Sequence, residues 1–229
     1  TPRSVKIDAL GRMIESTDRN YNGGLELVVM KYFYDIRGNK LRVDDAIKNT
    51  SGSSRTASAF VHVYDLANQP LKTTHIDKGV STVVINAAGL PVEMQDAKGA
   101  LVLSSYDELL RPVSMWARDK GSEDVTLRQY VLYGENHPNA IAENFMGRPW
   151  KQYDEAGMVE MLAYDYKGQP RSKSRQVIKD SLVVGAMPTI YRVDWVPAST
   201  GQECTNEGAL LEGDYVTDIE YDALGRPTS

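Results

Sequence analysis

The sequence predicts an all-β protein, built as an antiparallel strip of β-hairpins, and three observations carry that prediction. An acid or amide followed three residues later by glycine recurs along the chain. Tyrosine is over-used, with 13 Tyr against 3 Phe, and its ring suits strands that are apolar at the body and wet at the hydroxyl. No long segment carries the 3.6-residue apolar period of an amphipathic helix, and Ala142 to Met146 is too short to count.

The repeat begins at Asp8, Asp35, Asp65, Asn86, Asp96, Asp107, Asn144, Asp154, Asp165 and Asp222. Three residues on stand Gly11, Gly38, Asn68, Gly89, Gly99, Leu110, Gly147, Gly157, Gly168 and Gly225. Eight of these ten are glycine and one is asparagine, the two residues most at ease with positive φ. Each unit reads as strand, turn and returning strand. The acid side chain accepts hydrogen bonds from the turn backbone, and glycine supplies the left-handed residue. Neighbouring columns are biased too. Before the acid stands Tyr at 34, 64, 106, 153, 164 and 221; after the turn position stands Arg12, Arg111, Arg148 or Arg226. The next column holds Pro70, Pro91, Pro112, Pro149, Pro170 and Pro227, tolerable only where the ladder does not need an N–H.

In chain order the units lie near 7–16, 34–43, 64–74, 85–94, 95–103, 106–115, 143–151, 153–160, 164–173 and 221–229. Stretches 118–140 and 180–215 are less regular. Loops are expected at Asn49 to Ser54, around Glu135 to Pro138, and over 197–214 with its Pro, Gly, Ser and Glu residues. Repeats flank every gap, so the whole of 1–229 reads as one repeat segment with no flexible linker.

The formal net charge is -5 and no basic run is interleaved with aromatics, which argues against a nucleic-acid partner. Cys204 is the single cysteine, so neither an internal disulfide nor a cysteine-based zinc site is expected. No window approaches a membrane helix. The opening Thr1-Pro2-Arg3 is not an intact signal peptide, and with the abrupt end at Ser229 it suggests a fragment.

Tyr-Asp-x-x-Gly-Arg resembles the signature of the tyrosine-aspartate (YD) repeat family of Rhs type. The stretch Asn144 to Arg148, Tyr153 to Gly157, Tyr164 to Gly168 and Ser174-Arg175-Gln176 is similar to paired repeats of the B and C components of insecticidal toxin complexes and of Salmonella-virulence-B-like proteins. Tyr221 to Pro227 is likewise typical, and the resemblance runs over essentially 5–229. It implies a curved strip forming part of a hollow, non-catalytic shell in a secreted or cell-surface bacterial protein. Its partners would be the remainder of the same polypeptide or a partner toxin subunit, with an enclosed toxin as cargo. No cofactor is implied. The self-cleaving core of such proteins carries Asp-Pro-x-Gly; this chain has no Asp-Pro, so that activity is not assigned.

Sharper chemical readings compete with plainer ones. Repeated acids suggest calcium, but each unit offers one acid among variable residues, where calcium needs several oxygens; turn capping is the preferred reading. Asp44-Asp45 and Asp154-Glu155 are sequence neighbours rather than a facing carboxylate pair. Cys204 sits in a polar stretch with no histidine tied to it by motif, so a surface or half-buried thiol is expected. His62 and His75 could face one another across a hairpin, as a packed pair rather than a metal site. Trp116, Trp150 and Trp195 could form a sugar-stacking surface in an adhesion module, the alternative function. The column arginines are expected over neighbouring tyrosine rings or on repeat acids.

Overall fold

The computed structural model describes residues 3–21, 23–48 and 54–228, with side chains at 46–48 and 54–57 left aside. Two compact units divide at Ala100/Leu101, and each is an antiparallel meander in which every strand pairs with the next. Unit 1 contains β1 (Ser4–Ile7), β2 (Met13–Tyr21), β3 (Leu25–Tyr34), β4 (Lys40–Lys48), β5 (Ser54–Tyr64), β6 (Pro70–His75), β7 (Gly79–Ile85) and β8 (Pro91–Gln95). Unit 2 contains β9 (Leu101–Tyr106), β10 (Pro112–Arg118), β11 (Thr126–Tyr133), β12 (Pro149–Asp154), β13 (Gly157–Tyr164), β14 (Pro170–Ile178) and β15 (Leu211–Asp218). Between β14 and β15 run two short helices, α1 (Asp180–Gly185) and α2 (Glu207–Leu210). The all-β expectation is met.

Eight of the units close in the same way. At Asp8 the acid N–H donates to the Arg12 carbonyl, and the Gly11 N–H donates back to the Asp8 carbonyl. Asp8 Oδ1 accepts the N–H groups of Leu10 and Arg12, both at 2.9 Å. The same two side-chain bonds recur at Asp35, Asp65, Asn86, Asp96, Asp107, Asp165 and Asp222. This is a three-residue hairpin loop, a type I turn followed by a left-handed bulge residue. Asn68 and Leu110 take the glycine's place at φ 64° and 62°.

Two units depart from the pattern. Asp154 pairs directly with Gly157, so that hairpin closes on two residues, Glu155 and Ala156. Gly157 is demanded twice: its φ is 139°, and a Cβ would run into the Gln176 carbonyl of β14. The other departure is Asn144, which does not end a strand. It takes φ 60°, and the tight turn lies one residue later, where the Arg148 N–H donates to the Phe145 carbonyl. The strand-ending tyrosine of that unit is Tyr133, followed by Gly134 where an acid would stand. Phe145 fills the space a Gly134 side chain would need, and is itself fully buried.

The irregular stretches also resolve. A 3-10 turn at Gly134–Asn136 begins the expected loop at 135–138. The loop expected over 197–214 is cut short, because α2 starts at Glu207 and β15 at Leu211. Of the loop expected at 49–54, residues 49–53 lie outside the described residues.

The two units differ in what they bury. In unit 1 the buried residues among those described are Ser16, Val43, Asp44 and Ala59. In unit 2 a continuous cluster forms from Leu127, Tyr130, Leu132, Tyr153, Met158, Ile178 and Leu211 of the sheet, and Val193, Trp195 and Cys204 laid over it. A single sheet cannot make a core by itself; a second layer must cover it. Segment 179–210 is that layer.

Candidate functional site: the turn edge and the covered face

Within each unit the repeat turns line one edge of the ribbon. In unit 1 these are the turns at Asp8, Asp35, Asp65 and Asn86; in unit 2 they are those at Asp107, Asn144, Asp165 and Asp222. Asp96 and Asp154 sit at the opposite ends of their strands. Side chains join turn to turn along the edge. In unit 1, Arg37 donates to the carbonyls of Leu66 and Asp65 at 3.0 and 3.3 Å, and Asn39 Nδ2 donates to Asn68 Oδ1 at 2.7 Å. In unit 2, Asn144 Nδ2 donates to the Asp165 carbonyl at 2.6 Å, and Lys167 Nζ to the Ala223 carbonyl at 2.6 Å.

The column arginines do what opposite charge and ring faces favour. Arg12, Arg111 and Arg226 each place Nε on their own repeat acid at 2.6–2.7 Å. Arg12 and Arg111 also lie over the next tyrosine ring, at 4.9 Å from Tyr34 and 3.8 Å from Tyr133. The carboxyls of Asp8 and Asp222 are held below the ordinary carboxylate value, first by the backbone N–H of Arg12 and of Arg226 respectively.

Five tyrosines that end strands on this turn edge share one contact. The hydroxyl of Tyr34 donates to the Met13 carbonyl, Tyr64 to Lys40, Tyr133 to Pro112, Tyr164 to Pro149 and Tyr221 to Pro170, at 2.6–3.0 Å. Every acceptor is the residue five past the acid or amide of the preceding turn on that edge. Sequence reasoning missed Tyr133, because Gly134 hides the acid column. The signal was the 21-residue spacing from Pro112, which matches Met13 to Tyr34.

The second feature is the covered face of unit 2. Trp195 is 2% exposed; its backbone N–H donates to the Leu127 carbonyl at 3.0 Å and its indole N–H to the Asp154 carbonyl at 3.1 Å. Asp194 Oδ1 accepts the Leu127 N–H, and the Tyr130 hydroxyl accepts the Gly201 N–H. Two ion clusters tie the segment down. Arg192 reaches Asp119 at 2.8 Å and Glu155 at 3.1 Å, beside the buried Arg128, which also bonds Asp119. Lys151, 8% exposed at its side chain, has Glu203 at 3.2 Å and Glu160 and Glu207 at 3.9 Å. The Tyr153 hydroxyl donates to Glu207, and burial followed by that carboxylate pushes the phenol's pKa up.

The remaining candidates are placed as follows. Cys204 is not a polar-loop thiol: it is buried in the cluster, and burial, then Glu207, pushes it up to about 12. His62 and His75 do not face one another. His62 pairs with Thr73 and His75 with Phe60, and the rings of Phe60 and His75 meet edge-on at 4.4 Å. Asp44 is buried, bonded by Ser58 at 2.9 Å and Arg42 at 3.0 Å. Trp195 has no face open for sugar stacking, and the Trp150 indole N–H is taken by Glu160 at 3.2 Å. Half-buried Trp116 lines an open groove with Tyr106, Val113, Leu127 and Val196. Among the described residues no group of three or more His, Cys, Asp and Glu is placed to hold a metal ion, and no helix is long and apolar enough to cross a membrane.

No protein-family model matches the chain, and no curated protein matches it. Solved structures do. The TcdB2-TccC3-Cdc42 complex matches with a TM-score of 0.75 at 20% identity, over 99% of this chain and 10% of that one. The pore form of the Photorhabdus luminescens Tc holotoxin, with substituted TccC3, matches with a TM-score of 0.75 at 21% identity, over 99% and 10%. TcdB2-TccC3 alone gives 0.75 at 21% identity, over 99% and 11%. The likeness is one of fold, and this chain spans about a tenth of the length of each.

Proposed function

We propose that this chain is a non-catalytic wall segment of a secreted toxin-complex protein, one stretch of a β-shell that encloses a toxin polypeptide. The observation that carries the reading is the length of the likeness: a TM-score of 0.75 over 99% of the chain, falling on a tenth of a much longer toxin-complex chain. The chemistry agrees with it. The repeat residues spend their polar groups on one another: the acids on turn N–H groups, the arginines on acids and rings, the tyrosines on carbonyls. What remains is hydrogen-bonded sheet, the material of a container. Its partners on this reading are the remainder of the same polypeptide or a toxin subunit.

Proteolysis of the longer polypeptide together with its cargo tests the proposal. The enclosed polypeptide should resist protease in the intact assembly and be cut when Trp195→Ala loosens this stretch of wall. Cargo digested as fast in the intact assembly as after denaturation would sink it.

A further inference from the structure

Between successive hairpins of each unit, the ladder of paired residues stops short of the turn edge by a near-constant amount. The last pair is Glu15↔Lys31 for β2–β3, Arg42↔Val61 for β4–β5 and Lys72↔Thr82 for β6–β7. In unit 2 it is Ser114↔Tyr130 for β10–β11, Lys151↔Glu160 for β12–β13 and Ser172↔Asp218 for β14–β15. Beyond each pair, two residues of the first strand and three of the second lead to the turn edge outside the ladder (four after Glu160). In the last gap one backbone bond, from the Ile219 N–H to the Arg171 carbonyl at 2.8 Å, runs on past the final pair. The cause of the opening is local. The extra residue of each turn shifts the register at Phe33/Tyr34, Val63/Tyr64, Val84/Ile85, Leu132/Tyr133 and Ala163/Tyr164. A bulge adds twist and swings its strand away from the neighbour on the other side.

Into five of these six gaps a tyrosine hydroxyl reaches the carbonyl opposite. The sixth, between β6 and β7, has Ile85 in the tyrosine column, so no phenol bridges to Pro70. Phenylalanine would fill the same space but leave the carbonyl unanswered. We propose that the tyrosine ending a strand on the turn edge is a strut: its hydroxyl replaces the ladder that the bulge forbids and fixes how far one hairpin opens from the next at that edge. Proline suits the accepting residue because the strut uses only its carbonyl. The proposal goes beyond the wall reading and stands whatever the ribbon encloses.

Amide hydrogen exchange on the full chain tests it in both directions. Tyr64→Phe and Tyr164→Phe should speed exchange at the last ladder pairs, Arg42/Val61 and Lys151/Glu160, by about fivefold, the scale of one net hydrogen bond. Amides inside the turns, Ala67 and Gln69 or Lys167 and Gln169, should keep their protection. Tyr166→Phe, on a ring 84% exposed and outside the column, should change nothing. Ile85→Tyr should slow exchange at Lys72/Thr82 by a similar factor. Unchanged ladder amides in the Phe variants, or equal loss inside the turns, would overturn the proposal. So would Ile85→Tyr leaving Lys72/Thr82 as fast as before.

Discussion

Unit 1 and unit 2 carry the same turn chemistry, yet they are stabilised differently. Unit 1 leaves Leu25, Leu27, Val63 and Val84 half or more exposed, at 67%, 51%, 50% and 50%, and its buried residues are few. Unit 2 buries Tyr153, Trp195, Val193 and Leu132 almost completely. The difference comes from residues 179–210, which belong to no repeat. Repeat columns specify a ribbon; covering one face of it takes sequence of another kind. Local hydrogen bonding shapes both units, while hydrophobic burial, which contributes more to stability, is concentrated in one.

The most damaging way to probe that contrast is Trp195→Ala. Loss of a buried indole with two backbone-anchoring bonds nearby should cost unit 2 about 3–5 kcal/mol, a large part of a domain's stability. Cys204 gives a direct reading. Buried, with its thiol pushed up to about 12, it should react slowly with alkylating reagents in the native chain and rapidly in the variant. Exchange in β3–β5 of unit 1 should stay as it was. Equal loosening of unit 1 would show that the two units share one source of stability, and the comparison would fail.

A glycine pair sharpens the comparison between close approach and turn geometry. Gly157→Ala bears a φ of 139° and in addition drives a methyl into the Gln176 carbonyl and to 2.8 Å from Val177 Cα, so β13–β14 must shift, at about 2–3 kcal/mol. Gly11→Ala meets nothing within 4 Å and bears only its φ of 78°, at about 1 kcal/mol. Urea midpoints of the two variants check the order; Gly11→Ala proving the worse would reverse the assignment of roles.

Acid separates the contributions further. Asp8 and Asp222 have folded pKa values below 3.8, chiefly through the Arg12 and Arg226 backbone N–H groups. A depressed carboxyl stabilises the fold above its unfolded pKa and loses that stabilisation as pH falls through its folded value. The turn caps should therefore contribute fully above about pH 4 and fade below it. Asp8→Asn, which keeps an acceptor oxygen, should flatten that acid limb in a titration of the urea midpoint. A limb as steep as wild type would mean other carboxyls dominate.

Much of this was legible in the residues. The repeat interval, acid or amide to left-handed residue, marked all eight regular turns, six with glycine and two with Asn68 or Leu110 in its place, because the bond pattern is local and needs no partner from elsewhere. The arginine column was legible for the same reason: the acid it meets lies four residues back. What failed was long-range. Cys204 reads as a polar-loop residue until Tyr153, from a distant strand, packs into the same buried cluster. Trp195 reads like any exposed aromatic until Asp154 and Leu127 bond it. Gly157 reads as a turn glycine, and its φ of 139° suits one, but the Gln176 backbone demands it as well. Asn144 fits the interval by sequence alone, but the insertion led by Phe145 carries the true strand end back to Tyr133.

The smallest expected effect comes from the two turns that lack glycine, one in each unit. Leu110 holds φ 62° with a side chain 52% exposed, so it bears the left-handed penalty of about 1–2 kcal/mol and gains little burial in return. Leu110→Gly relieves that penalty but adds backbone freedom to the unfolded chain, at about 0.5–1 kcal/mol. A net gain of about 0.5–1 kcal/mol for unit 2 should follow, read as a higher urea midpoint. Asn68 is the counterpart in unit 1, at φ 64°. Asparagine tolerates that conformation, and its Oδ1 accepts the Asn39 amide at 2.7 Å. Asn68→Gly trades a small strain for that turn-to-turn bond, and its midpoint should not rise. If both variants stabilise alike, the side-chain links along the turn edge contribute nothing measurable; if only Leu110→Gly does, the edge of unit 1 is held by those links in place of a covered face.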